Sequence, residues 1–192
     1  MARRKQEFKP DAQGAPLKKL HLTRQQRLTI LKWALYAFVC VFFLVVQDVV
    51  MSRFSLFGAT TDLAAGVILL ITVLIGVENG SLFVLIASVL YVFSGSAPGI
   101  YSIATLTFLG VAAALLRQLY LRRGTSTIVL CAGLALLAYE MATFLIGIFL
   151  GLTYWGRAGV FVLTAGLTTL VLFPLYPLVY KIGLIGGATW KE

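Results

Sequence analysis

The sequence predicts an all-α integral membrane protein with six transmembrane helices and both termini in the cytoplasm. Three observations carry that prediction. First, 60% of the 192 residues are hydrophobic and only 12% are charged, whereas a soluble domain is about half apolar and about a quarter charged. Second, six apolar runs approach the roughly 20 residues that a helix needs to cross a bilayer core about 30 Å thick. Third, the sixteen Lys and Arg residues fall almost wholly in segments that six spans would place on one side of the membrane.

Residues 1–27 read as a basic cytoplasmic tail, expected to be flexible. Nine Lys or Arg residues lie between Arg3 and Lys32, against two acids, Glu7 and Asp11. Phe8 is the only aromatic residue before Trp33. No nucleic-acid partner is therefore expected, since such an arm interleaves its cations with rings that stack on bases. The cations suit anionic membrane lipid instead.

Leu28 to Val50 is too long for the apolar core of a cleavable signal, about 7–15 residues. It reads as span one, with Lys32 snorkelling toward the headgroups. Span two, Asp62 to Val77, and span three, Asn79 to Gly95, are short. Glu78-Asn79-Gly80 marks a turn between them, because Asn and Gly accept positive φ; a re-entrant hairpin is the alternative for this pair. Span four runs from Pro98 to Leu116, span five from Ser126 to Leu150 and span six from Ala158 to Tyr180. Pro174 and Pro177 are expected to kink or end span six. Residues 28–182 thus form the membrane domain and 183–192 a short cytoplasmic end. With the N-terminus inside, fourteen Lys or Arg residues lie inside and two, Arg53 and Arg157, outside. Five spans would break that pattern.

The inventory of reactive side chains is short. His21, the only histidine, lies in the tail, so neither a His-based metal site nor a Ser/His hydrolytic pair is expected in the membrane. Cys40 and Cys131 both sit inside apolar runs and imply no disulfide framework. Ser94-Gly95 is preceded two positions earlier by Val92, not by the Gly of a rhomboid-type Gly-x-Ser-Gly, and no membrane histidine exists to activate it. The sequence offers no phosphate-cradling loop, no carboxylates paired at catalytic spacing and no metal cluster. No cofactor and no catalysis are expected; the chain reads as a binding or scaffolding protein.

Glu140 stands out because the apolar run around it, Leu134 to Gly151, holds no other charge. At helical spacing Gly133, Leu136, Glu140, Thr143, Gly147 and Gly151 share one side of span five, and Leu134, Ala138, Met141, Leu145 and Ile148 the other. Small residues let a second helix approach, with Gly147-xxx-Gly151 as the small-xxx-small form, so the first side is expected to face protein. With no Lys or Arg in the core of any span, the Glu140 carboxyl is expected to be neutral and to donate a hydrogen bond. Tyr91, Thr105, Thr107 and Thr164 are candidate acceptors; a partner's span or a proton path are the alternatives. At the outer surface Gln47 and Asp48 close span one. Asp62, after Thr60-Thr61, has the form of a helix N-cap.

The order of these features resembles the rod shape-determining protein MreD family, over about Val46 to Ile182. That family has a basic start, six short spans, a Gln near the outer end of the first and Pro-Asp opening the second. Gln47 stands at the Gln, and Thr61-Asp62 where Pro-Asp is expected. Ser94-Gly95-Ser96-Ala97-Pro98-Gly99-Ile100-Tyr101 resembles the family's outer turn. The chain departs at Ser88-Val89-Leu90-Tyr91, where Tyr91 takes about the place of an Asp. The resemblance implies a non-enzymatic component of the bacterial cell-elongation machinery in the cytoplasmic membrane. Its implied partners are MreC and, through it, MreB and the peptidoglycan glycosyltransferase and transpeptidase. It also implies a fold similar to the substrate-binding subunits of energy-coupling-factor vitamin transporters, and such a subunit is the rival reading. The candidate partner or helix-packing residues are Gln47, Asp48, Asp62, Tyr91, Glu140, Thr143, Gly147 and Gly151.

Overall fold

Thirteen consecutive residues without a charge, Leu63 to Ile75, decide the architecture. A helix that is apolar on every face has no side to offer water and must be enclosed. In the computed structural model, which describes residues 24–50, 58–120 and 124–185, these residues form such a helix. The helices are α1 (Arg24–Val49), α2 (Leu63–Ile75), α3 (Val77–Phe93), α4 (Tyr101–Tyr120), α5 (Thr125–Phe149) and α6 (Ala158–Gly183). A single 3-10 turn, Trp155–Arg157, precedes α6.

All thirteen residues of α2 are buried, and α2 touches each of the other five helices. Helices α3, α4, α5, α6 and α1 follow one another around it, each contacting the next. The ring closes between α1 and α3 through Trp33 and Tyr36, each with its ring centroid 6.4 Å from that of Phe83. The other faces of these helices carry exposed apolar side chains such as Phe38, Leu82, Phe108, Leu134 and Leu170. Apolar side chains on both the inside and the outside suit lipid as solvent. Four helices, α1, α4, α5 and α6 with its preceding turn, are long and apolar enough to cross a membrane. The chain is a multi-pass membrane protein. α2 and α3 are apolar but shorter, and α2 spans only about 20 Å at 1.5 Å per residue.

The reversal between α2 and α3 falls at Gly76, with φ +92° and ψ 179°. That region of backbone space is essentially reserved for glycine. The expected turn at Glu78-Asn79-Gly80 is therefore displaced: these residues form the first turn of α3. Gly80 serves close packing instead, since a Cβ there would stand 2.8 Å from the Thr72 carbonyl oxygen of α2. In span six the prolines do not end the helix. α6 runs through Pro174 and Pro177 to Gly183, held by the buried Leu172, Tyr176 and Val179 on either side of the prolines. Arg24 to Arg27, assigned to the tail, are the first turn of α1. The rest of the tail, Arg53, Arg122, Arg123 and Lys191 lie outside the described residues.

Arg117 ends α2 from outside. Its guanidinium donates to the carbonyls of Val73 and Leu74 in the last turn of α2. Those carbonyls have no intrahelical donor, and a cation there also complements the negative end of the helix dipole.

The α2–α3 hairpin can be tested with three glycine variants. Gly76→Ala forces a side chain into strained backbone, at a cost of about 1–3 kcal/mol, and Gly80→Ala collides with backbone. Both should lower the melting temperature of the detergent-purified protein by several degrees. Gly166→Ala, in α6 with nothing within 4 Å of the new Cβ, should leave it unchanged or raise it.

Candidate functional site

The N-terminal end of α2 is where polar side chains collect. The first turn of a helix leaves its N–H groups without intrahelical acceptors, and in a hydrocarbon surround the protein itself must supply them. Asp62 caps α2, its Oδ1 accepting from the Ala65 N–H at 3.2 Å. Gln47, from the last turns of α1, accepts from the Leu63 N–H through Oε1 at 2.9 Å. Asp62's own N–H donates to Thr168 Oγ1 on α6 at 2.9 Å. Its second carboxyl oxygen, Oδ2, accepts from the Tyr91 hydroxyl on α3 at 2.7 Å. Four helices thus meet at one capped end. α4 and α5 join beside it, the Tyr139 hydroxyl donating to Ser102 Oγ at 3.1 Å.

Next to this set lies a cavity of about 530 Å³. Gln47, Asp62 and Tyr91 line one part of it; Tyr139, Glu140 and Thr143 of α5 line another. Arg157, Phe161 and Thr164 at the start of α6 complete the wall, with Ser96 and Pro98 of the turn between α3 and α4. Arg157 lies over the Tyr154 ring, 5.9 Å from its centroid.

Glu140 is 6% exposed and faces this cavity. The expected hydrogen bond to another helix is not made. Tyr91 is engaged with Asp62, Thr105 with the Tyr101 carbonyl at 3.0 Å, and Thr107 with Ser88 at 3.2 Å. Thr164 lines the same cavity without bonding Glu140. Among the described residues Glu140 has no hydrogen-bond or ion-pair partner. A second carboxyl, that of Asp62, lines the same cavity. Thr143 Oγ1 is also buried without a partner.

The remaining candidates separate from this group. Asp48 is exposed at the end of α1 and is not part of the cavity wall. Gly147 and Gly151 do not pack a second helix together. The Leu152 N–H bonds the Gly147 carbonyl at 2.8 Å and the Gly151 N–H bonds the Ile148 carbonyl at 2.9 Å. With Gly151 at φ +70°, that pattern is a Schellman cap closing α5.

Sequence reasoning missed Tyr139, Thr168 and the role of Arg157, which counted only as an outer charge. It also missed that two acids share one space, because Asp62 and Glu140 are far apart along the chain. The adjacent polar run Tyr139-Glu140, followed by Thr143 one turn on, was the available signal for a wet face on α5.

Tyr91→Phe removes the donor at 2.7 Å from Asp62. Leaving a buried acceptor unsatisfied costs about 1–3 kcal/mol, so the variant should melt several degrees lower in detergent. Tyr154→Phe, at a side chain 66% exposed, should melt as the parent does.

No family model, no curated protein and no solved structure matches this chain, and the functional reading therefore rests on the residues themselves.

Proposed function

We propose that this chain is a non-catalytic scaffold of the bacterial cell-elongation machinery, working in the cytoplasmic membrane by binding MreC. Through MreC it connects to MreB and to the peptidoglycan glycosyltransferase and transpeptidase. The observation that supports this reading is a convergence. Gln47, Asp62 and the Ser94–Tyr101 turn, which carry the MreD-like pattern, are distant in sequence yet lie at one end of the bundle. Gln47 and Asp62 join there in one hydrogen-bonded set with Tyr91, which departs from that pattern, and Ser96 and Pro98 of the turn line the same cavity. A set that ties four helices together at the N-terminal end of α2 fixes the shape there, and a fixed shape is what a partner's recognition requires. By the charge asymmetry this end faces outward, with Arg117 and Lys181 at the cytoplasmic end.

The cavity favours a second reading, a substrate-capturing subunit of an energy-coupling-factor transporter. Its volume of about 530 Å³ lies within the roughly 300–1,000 Å³ of small-molecule sites.

Affinity purification of the tagged chain in mild detergent, with mass spectrometry of the co-purifying proteins, decides between them. MreC and wall synthases are the expected recovery; an energy-coupling module with its ATPases would instead establish the second reading. Within the scaffold reading, Asp62→Ala should reduce recovered MreC several-fold at equal membrane level. Glu140→Gln, outside the bonded set, should not.

A further inference from the structure

We infer that the cavity beside Asp62 is a binding site for a small zwitterion, with its ammonium group between Asp62 and Glu140 and its anionic group at Arg157. Glu140 is 94% buried, by its 6% exposure, faces the cavity and has no partner among the described residues. A carboxyl group so placed is costly unless a donor or a cation meets it. Thr143 Oγ1, one turn away on the same wall, is also without a partner. Asp62 adds a second carboxyl to the same space, and a cation between the two would favour the charged form of both. An ammonium group brings a full charge and up to three donors.

The opposite charge in the wall narrows the class further. Arg157 lines the cavity, yet no ion pair among the described residues joins it to Asp62 or Glu140. The α6 helix begins at the next residue, so its positive end adds to the same side. A bare metal ion would satisfy the acids and leave Arg157 facing a like charge. An inorganic anion would satisfy Arg157 and meet two carboxyls. A molecule carrying both charges answers both sides, and about 530 Å³ gives it room. A phosphoethanolamine group has this chemistry, either as a lipid headgroup or as a free solute. The inference rests on the cavity alone and holds under the scaffold reading and under its rival.

The test uses the full chain, purified in detergent and in nanodiscs. O-phosphoethanolamine is titrated by calorimetry and by thermal shift, with ammonium chloride and sodium phosphate as single-charge controls. Nanodiscs of phosphatidylglycerol are compared with and without phosphatidylethanolamine. Binding of O-phosphoethanolamine, weakened at least tenfold by Glu140→Gln and by Arg157→Gln, is expected. Stabilisation by phosphatidylethanolamine alone, abolished by the same variants, supports the site and assigns it to the lipid. Arg157 is exposed, so its variant folds and keeps the test decisive if Glu140→Gln does not. Absence of binding to both probes, equal binding of sodium phosphate, or binding indifferent to both substitutions overturns the inference. MreC recovery is a separate readout, and its failure would leave this result standing.

Discussion

The structure depends on how α2 is enclosed. A helix thirteen residues long and apolar on every face gains by burial on every face, and each of its residues is buried. Its cost lies at the two ends, where backbone donors and acceptors run out of intrahelical partners and the hydrocarbon supplies none. Both ends are met by side chains from other helices. Gln47, Asp62 and Thr168 gather at the N-terminal end, and Arg117 reaches the last carbonyls from α4. The surrounding helices are thereby fixed along the axis of α2, while apolar packing alone would let them slide. Each such bond contributes only about 0.5–1.5 kcal/mol net. An unmet buried group costs more, and that asymmetry sets the register.

The same constraint explains why polarity concentrates at one end. Once Asp62 is placed to cap α2, its second oxygen must also be answered, and Tyr91 answers it. The wall that this set forms is polar on its cavity side, so Thr143 and Glu140 meet open space there instead of lipid. Asp62 and Glu140 are therefore in opposite conditions. Asp62 has each carboxyl oxygen bonded within the fold; Glu140 is buried and has no partner among the described residues. The first fixes the shape of this end of the bundle, and the second faces the cavity beside it.

Reading the chain linearly misjudged glycine more than any other residue. Asn79-Gly80 has the composition of a turn, yet a turn needs positive φ at a particular place. In the fold that place is Gly76, because α3 must come back against Thr72. Gly80 is then small for the sake of contact. Gly147 and Gly151 have the spacing of a helix-packing pair and serve to close α5. Spacing alone does not distinguish contact from conformation, since glycine supplies both.

The sequence by itself determined the solvent and the elements. Long apolar runs and lopsided basic residues place the chain in a membrane and locate each described helix to within a few residues. The N-cap at Asp62 is also legible, because a cap is a contact within four residues. Tertiary structure decided what lies between helices. That α2 is the enclosed centre, that Arg117 caps it, that Tyr91 serves Asp62 and not Glu140, and that Glu140 shares a cavity with Asp62 and Arg157 all depend on contacts between distant segments. Local pattern records which face of a helix is apolar, but not which neighbour meets it. Those pairings follow from the cost of leaving a buried polar group unmet, and Glu140 is a buried acid for which the described residues provide no partner.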